Sequence, residues 1–296
     1  MTGALAARPA LAALAGALTI AFSAILVDLA AVSPSTAAVY RCAYALPLLG
    51  ALAYAERRRH GPPPAGTWWR GAAAGAFFAA DLILWHHAIE DVGAGLATVL
   101  ANLQVVLVAL TAWLLLGERP SGRIALAVPL VFTGAILISG VIGEEPFGEN
   151  PARGAVFGVL TGVAYTGFIL VLREMGRDLR RPAGPLFAAT LMATAVAIVA
   201  GWLLGELDLR PSWPAHGWLV TLALTSQVLG WLLIAIALPR LPASLTSIVL
   251  TVQPVGSVIL GIVLLGEDPA PLQLAGVAII VAGIVVATRR APVANV

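Results

Sequence analysis

The sequence predicts an all-α membrane protein of ten transmembrane helices, built as two inverted five-helix repeats. Three observations lead to this prediction: 60% of the 296 residues are hydrophobic, long apolar blocks follow one another along the chain, and the second half repeats the first. Only 11% of the residues are charged, whereas about a quarter are charged in a soluble domain. The chain therefore lacks the polar surface that a fold in water requires.

Each apolar block is long enough to cross a bilayer. A helix needs about 20 mostly apolar residues to span the hydrocarbon core. The connections between the blocks are too short to hold a soluble domain. The ten predicted helices cover residues 9–31, 35–54, 70–89, 95–116, 123–142, 154–173, 185–205, 216–238, 243–265 and 271–288.

The basic residues exclude several kinds of chemistry. All 17 are arginine, so the chain has neither the lysine of a phosphate-binding Walker A loop nor a lysine that could form a Schiff base with pyridoxal phosphate. Cys42 is the only cysteine, which excludes a disulfide framework and a cysteine-rich metal site. We therefore predict no catalytic residues, no metal and no cofactor.

The arginines also predict how the chain threads through the membrane. Arginines in short loops tend to stay in the cytoplasm. If the N-terminus is cytoplasmic, 14 of the 17 arginines lie on the cytoplasmic side, and both termini are cytoplasmic because the number of helices is even. These arginines are Arg8, Arg57, Arg58, Arg59, Arg70, Arg119, Arg123, Arg173, Arg177, Arg180, Arg181, Arg240, Arg289 and Arg290.

The two halves of the chain repeat with a constant offset of 149 residues. Leu-Leu-Gly-Glu at 115–118 recurs at 264–267, and Gln104 matches Gln253 in the same register. Five helices is an odd number, so the second copy enters the membrane from the opposite side. Such inverted repeats typically build transporters that bind substrate near the bilayer midplane. We expect the repeats to occupy residues 1–148 and 149–296.

These motifs carry a resemblance to a known family. The segment 94–98 running into 114–120, and its second copy at 242–245 with 253–254 and 264–267, resemble the drug/metabolite transporter superfamily in its ten-helix EamA-domain form. The resemblance implies export of amino acids, other metabolites or toxic compounds from the bacterial cytoplasm. It also implies a multi-pass protein of the cytoplasmic (inner) membrane, with a central cavity lined by both halves.

Asp81 is the deepest acidic residue in any predicted helix. It shares one face of the third helix with Phe77 and Trp85, at helical spacings of four residues. Charges inside a span are costly and are functional candidates. Asp81 could hold a substrate ammonium beside the Trp85 ring, or it could bind and release a proton. The alternative is a structural bond to a neighbouring helix or to trapped water.

Other polar and aromatic residues lie at mid-depth and are expected to line the same central space. Neutral amides suit a polar substrate site because they cost less to bury than charges do. The alternative role for these residues is hydrogen bonding between helices. The predicted lining residues, in addition to Asp81 and Trp85, are Asn102, Gln104, Tyr165, Gln227, Trp231 and Gln253.

Asp28 lies in the outer part of the first predicted helix and Arg41 near the outer start of the second, and the short connection predicts that the two helices are antiparallel neighbours at that depth. An ion pair between them would neutralise both charges and could be a structural latch. It would also leave Asp81 without a basic partner. This reasoning makes Asp81 the candidate residue for coupling transport to protons.

The sequence favours a secondary transporter that exports small metabolites. A passive facilitator of the same fold, an intramembrane enzyme and a membrane scaffold are the alternatives. The chain has no Gly-x-Ser-Gly nucleophile and no paired aspartates in glycine-rich motifs, which disfavours an intramembrane protease. The expected partners are the lipid bilayer, a small-molecule substrate and protons, with no nucleic acid, and the expected assembly is a monomer or a homodimer.

The arginine distribution predicts the result of a topology experiment. Reporter domains fused after Arg59 and after Arg181 should read cytoplasmic, and a reporter fused after Glu145 should read external. Alkaline phosphatase and green fluorescent protein fusions measure this directly. The opposite pattern would contradict both the topology and the orientation of the repeats.

Overall fold

The structure is a computed structural model that describes residues 9–116, 122–143, 145–176, 178, 180–210, 212–237 and 252–288. Within these ranges the chain forms ten helices and no strand. The helices are α1 (Pro9–Ala21 and Ser23–Ala30), α2 (Pro34–His60), α3 (Thr67–Val92), α4 (Ala94–Ala101 and Gln104–Leu116), α5 (Gly122–Ile138), α6 (Pro151–Met175), α7 (Ala183–Leu204), α8 (Trp213–Ala237), α9 (Val252–Leu265) and α10 (Pro271–Thr288).

Six of these helices are long and apolar enough to cross a membrane, namely α1, α2, α3, α6, α7 and α8. The apolar parts described for α4, α5, α9 and α10 are shorter. The prediction of an all-α, ten-helix membrane protein is confirmed. Some predicted features lie outside the described residues: the motif residues 117–120 and 242–245, and Arg8, Arg119, Arg177, Arg240, Arg289 and Arg290.

The helices pack in the pairs that an inverted repeat requires. In such a repeat α1 corresponds to α6, α2 to α7, and so on to α5 and α10. Observed pairs join α2 to α7, α4 to α9, and α5 to α10, so each of these pairs maps onto itself. The pair of α3 with α6 maps onto the pair of α8 with α1, which is also observed. The two halves are therefore interlocked rather than placed side by side.

Small residues let two pairs of helices approach closely, namely α5 with α10 and α4 with α6. A Cβ atom added at Gly134 of α5 would lie 2.7 Å from the carbonyl oxygen of Gly276 in α10. One added at Gly158 of α6 would lie 2.5 Å from the Cβ of Leu100 in α4. Helices in lipid gain their stability from such close packing, because lipid chains are as apolar as the side chains.

Contacts between loops define two ends of the bundle. Arg181, between α6 and α7, donates to the carbonyls of Gly61 and Pro62, between α2 and α3, at 3.1 and 2.7 Å. We call this the arginine end. At the other end, Gln273 of α10 accepts from the backbone N–H of Phe147 at 2.8 Å. We call this the acidic end. Successive helices run between the two ends in alternating directions.

Glutamates cap helices of the opposite half at both ends. Glu56, near the end of α2, accepts hydrogen bonds from the backbone N–H groups of Ala183 and Gly184 at the start of α7, at 2.9 and 2.8 Å. Glu206, just after α7, accepts one from the Ser35 hydroxyl at the start of α2, at 2.8 Å. Free N–H groups at helix starts must be satisfied, and negative charge is favourable there. Glu56 is thus a cap of α7, and the bond from the Ser35 hydroxyl to Glu206 joins the same two helices at the other end.

Glu267 of the repeated Leu-Leu-Gly-Glu motif has the same role for α4. Its buried carboxylate accepts hydrogen bonds from the backbone N–H groups of Ala94 and Gly95. Burial raises the pKa of this carboxyl, and the two N–H donors oppose that rise. The motif residue is thus a helix cap that connects the two halves at the acidic end.

Candidate functional site

A buried arginine contacts three other helices inside the bundle. Arg41 of α2 is only 3% exposed. Its Nε donates to Oε1 of Gln227 in α8 at 3.0 Å, and its Nη1 donates to the Ser23 hydroxyl of α1 at 3.1 Å. Its Cζ lies 5.7 Å from the centroid of the Trp85 ring in α3. The guanidinium is therefore held by hydrogen bonds and by a cation–π contact.

Asp81 of α3 supplies a negative charge to the same region. It is 7% exposed and interacts electrostatically with Arg41 and with Tyr165 of α6. None of the described hydrogen bonds involves its carboxylate. Removing a charge from water costs several kcal/mol unless an opposite charge compensates for it. The charge of Asp81 interacts with that of Arg41, but the two form no ion pair in the described part of the chain, and the carboxylate oxygens of Asp81 keep their capacity to accept hydrogen bonds.

Aromatic rings form one wall beside these charges. Phe78 and Phe168 stack with centroids 4.3 Å apart, and the Trp231 ring lies edge-on to Phe168 at 5.4 Å and to Tyr165 at 6.1 Å. The indole N–H groups of Trp85 and Trp231 are buried and have no hydrogen-bond partner in the described part of the chain. An unsatisfied buried donor costs about 1–3 kcal/mol. A bound ligand that accepts hydrogen bonds from these two indole N–H groups would explain why the cost is tolerated.

Gln227 lies in a widened turn of α8. Residues 223–230 form a π-helical segment, a feature that frequently occurs at functional sites. Its Nε2 donates to the Thr190 hydroxyl of α7 at 3.3 Å, while its Oε1 accepts from Arg41. Gln227 therefore connects α7 to the guanidinium and fixes the position of Arg41.

These residues form a candidate site that we call the central cluster. Its members come from α1, α2 and α3 of the first half and from α6, α7 and α8 of the second. The side chains of the cluster are buried or half-buried. The central cluster consists of Ser23, Arg41, Asp81, Trp85, Tyr165, Thr190, Gln227 and Trp231.

Five of the eight predicted lining residues belong to this cluster: Asp81, Trp85, Tyr165, Gln227 and Trp231. The other three have no described contact with it. Asn102 donates to the carbonyl of Thr98 in its own helix at 2.8 Å, beside the break in α4. Gln104 is half-buried just after that break, and Gln253 is buried in α9.

The ion pair predicted between Asp28 and Arg41 is wrong. Asp28 is exposed, whereas Arg41 is buried against Ser23, Gln227 and Asp81. Ser23 and Asp28 are five residues apart, which places them about 140° apart around a helix. Since Ser23 is on the side of α1 that faces Arg41, Asp28 points away from it. Asp81 interacts electrostatically with Arg41 but forms no ion pair with it among the described residues, so its lack of a basic partner stays a prediction.

Sequence reasoning missed Ser23 and Thr190. Both are small hydroxyl residues inside apolar helices, and nothing in their immediate neighbourhoods distinguishes them from other serines and threonines. Their roles depend on contacts with Arg41 and Gln227, across 18 and 37 residues of sequence. Within the described ranges, no group of three histidine, cysteine or acidic side chains is placed to hold a metal ion.

The chain matches a family of known proteins over most of its length. The sequence profile described as "EamA-like transporter family" matches residues 7–140 and again residues 152–289. The chain is 24% identical over 208 residues to "Uncharacterized transporter YwfM" of Bacillus subtilis (strain 168), covering 69% of this chain and 67% of that protein. It is 24% identical over 176 residues to an "Uncharacterized transporter" of Archaeoglobus fulgidus, covering 60% of each.

A solved structure has the same fold. The structure, titled "Crystal structure of protein", superimposes with a TM-score of 0.62 and covers 95% of this chain and 97% of its own. The sequence identity is 19%, so this likeness concerns the fold alone.

The hydrogen bonds of Gln227 predict a difference between two substitutions. Gln227→Leu removes a bond to a buried charge and should cost about 1.5–3 kcal/mol of stability. Thr190→Val removes only the neutral bond from Gln227 Nε2 and should cost about 0.5–1.5 kcal/mol. Thermal unfolding of the purified variants in one detergent gives the comparison. If Gln227→Leu is no less stable than Thr190→Val, Gln227 does not hold Arg41 in place.

Proposed function

This chain belongs to the EamA-like transporter family, and we propose that it is a secondary transporter that exports small metabolites, such as amino acids or toxic compounds, across the bacterial cytoplasmic membrane. The observation that carries the proposal is the central cluster. There Arg41, Asp81 and two indole N–H groups without partners are buried between helices of both halves. A transporter of this class needs a polar site at the interface of its repeats.

The chemistry of the cluster favours an amphoteric substrate. The Arg41 guanidinium can bind a carboxylate, and the Asp81 carboxylate can accept hydrogen bonds from an ammonium group. The indole N–H groups of Trp85 and Trp231 offer further donors, and their rings can cover an apolar or aromatic side chain. An α-amino acid presents a carboxylate and an ammonium close together, so it fits this set of groups.

The burial of the cluster supports alternating access. Its side chains are buried or half-buried, so a substrate needs a rearrangement of the helices to reach them. Rocking of one set of helices against another opens each side in turn. A passive facilitator of the same fold remains the second candidate, since it would use the same residues without ion coupling.

The proposed orientation places the arginine end and both termini in the cytoplasm. It rests on the tendency of arginines in short loops to remain there. Arg57, Arg70 and Arg181 lie at that end of the bundle, and Glu206 and Glu267 lie at the other. We propose a monomer or a homodimer as the transporting unit.

Counterflow tests the proposed transport activity. A metabolite efflux screen on cells that overexpress the protein first identifies exported compounds. Purified protein in liposomes loaded with such a compound should then take up its radiolabelled form well above empty liposomes. Absence of exchange for every amino acid and exported compound tested would contradict the proposal.

Asp81 provides a test of proton coupling. Asparagine keeps the shape of the side chain but cannot bind and release a proton. We expect Asp81→Asn to lose uptake driven by a pH gradient in inverted membrane vesicles, while exchange of substrate for substrate persists. The matched control is Asp28→Asn, which removes an exposed acid outside the cluster and should behave like wild type.

Two outcomes would reject Asp81 as the coupling residue. One is wild-type transport that ignores an imposed pH gradient. The other is an Asp81→Asn variant that responds to the gradient as wild type does. Either outcome leaves substrate binding by the central cluster as a separate question, which the counterflow measurement answers.

A further inference from the structure

A second site lies at the arginine end, outside the central cluster. It is a cleft of about 640 Å³ between the last turns of α2 and α6 and the first turns of α3 and α7. Half-buried and buried apolar residues, including Ala53, Phe187 and Ala188, form part of its lining. Exposed residues with aromatic rings and positive charges form another part. The cleft is therefore amphipathic.

Two arginines in this lining keep their charge available. None of the described hydrogen bonds or ion pairs involves the side chain of Arg57 or that of Arg70. Arg70 lies over the ring of its neighbour Trp69, with its Cζ 5.4 Å from the ring centroid. A third arginine in the lining, Arg181, is already occupied by backbone carbonyls and by Asp178.

The acidic residues of the lining do not neutralise these two arginines. Glu56 accepts its hydrogen bonds from the N–H groups at the start of α7. Asp178 pairs with Arg180 and Arg181, and hydrogen bonds from Arg180 hold its pKa below the usual value. Glu174 is likewise not free. The lining thus carries three arginines and three acidic residues, and Arg57 and Arg70 are the charged groups of the lining without a described hydrogen-bond or ion-pair partner, which leaves them available to an anion.

Exposed aromatic side chains place the opening of the cleft at the membrane–water interface. Tyr54 and Trp68 line the cleft with 62% and 55% of their surface exposed, and the adjacent Trp69 is 65% exposed. Tryptophan and tyrosine are enriched at the level of lipid headgroups. Arg57 is one helical turn from Tyr54, and Arg70 is two residues from Trp68. The two arginines therefore reach the depth of the lipid phosphates.

We propose that this cleft binds the headgroup of an anionic phospholipid. Arg57 and Arg70 hold the phosphate, since the planar guanidinium matches phosphate oxygens with two parallel hydrogen bonds. The upper acyl carbons lie against the apolar lining near Phe187 and Ala188. Basic pockets between transmembrane helices are suited to such headgroups.

A lipid explains the cleft better than a soluble anion. Inorganic phosphate would use the two arginines but would leave the apolar lining exposed to water. A phospholipid covers both parts of the lining and enters from the bilayer, where the exposed rings of Tyr54 and Trp68 stand. A lipid in the cleft would contact the pair of α2 with α7 and the pair of α3 with α6. All four helices carry members of the central cluster.

Lipid-dependent thermal stability tests the proposal. In nanodiscs, replacing part of the phosphatidylcholine with phosphatidylglycerol should raise the unfolding temperature of the wild-type protein. The double variant R57Q/R70Q should lose at least half of that shift. The matched control is R58Q/R59Q, which removes the same charge from exposed positions of α2 outside the cleft and should keep the shift.

Two results would overturn the proposal. One is an equal loss of the shift in both double variants, which would indicate a general effect of charge. The other is an equal shift from inorganic phosphate in phosphatidylcholine nanodiscs, which would indicate a soluble anion.

A second measurement needs no arginine variant and remains valid if R57Q/R70Q does not fold. Phosphatidylglycerol brominated on its upper acyl carbons should quench the fluorescence contributed by Trp68, measured as wild type minus W68F. Brominated phosphatidylcholine should quench it less. Equal quenching by the two lipids would reject a specific site.

Discussion

The charge of Arg41 inside an apolar bundle is the constraint on which the rest of the site depends. A buried guanidinium is tolerated only if other groups compensate for the water it has lost. All the compensating groups described here come from other helices: the hydroxyl of Ser23, the ring of Trp85, the carboxylate of Asp81 and the amide of Gln227. Because these groups belong to α1, α3 and α8, placing one arginine fixes the relative positions of helices from both halves.

A related constraint acts at the ends of the helices. The first N–H groups of each helix need acceptors, and near the hydrocarbon region water is scarce. Glu56 and Glu267 supply these acceptors to helices of the opposite half, and Glu206 joins the same pair as Glu56 through the Ser35 hydroxyl. Since α2 and α7 are joined at both ends, movement within this pair would break a cap.

The central cluster and the cleft at the arginine end use arginine in different ways. Arg41 is buried and bound to Ser23, Gln227 and the Trp85 ring, so a ligand can bind its guanidinium only by displacing part of these contacts. Arg57 and Arg70 lie beside exposed aromatic rings at the arginine end, which we propose to be at the membrane surface, where a charge costs little and attracts anions. The helices α2, α3, α6 and α7 connect the two regions. The proposed lipid site thus involves helices that also carry members of the central cluster.

The sequence by itself determined the fold class, the ten helices, the repeat and five members of the central cluster. These features depend on local composition and on spacing along the chain, and both are read directly from the sequence. Only the tertiary structure decided that Arg41 faces Gln227, 186 residues away, rather than the nearby Asp28. It also separated Asn102, Gln104 and Gln253 from the cluster and added Ser23 and Thr190. The physical reason is helix rotation: in lipid, apolar faces point both outward and inward, so hydrophobicity alone does not indicate which side of a helix faces the site.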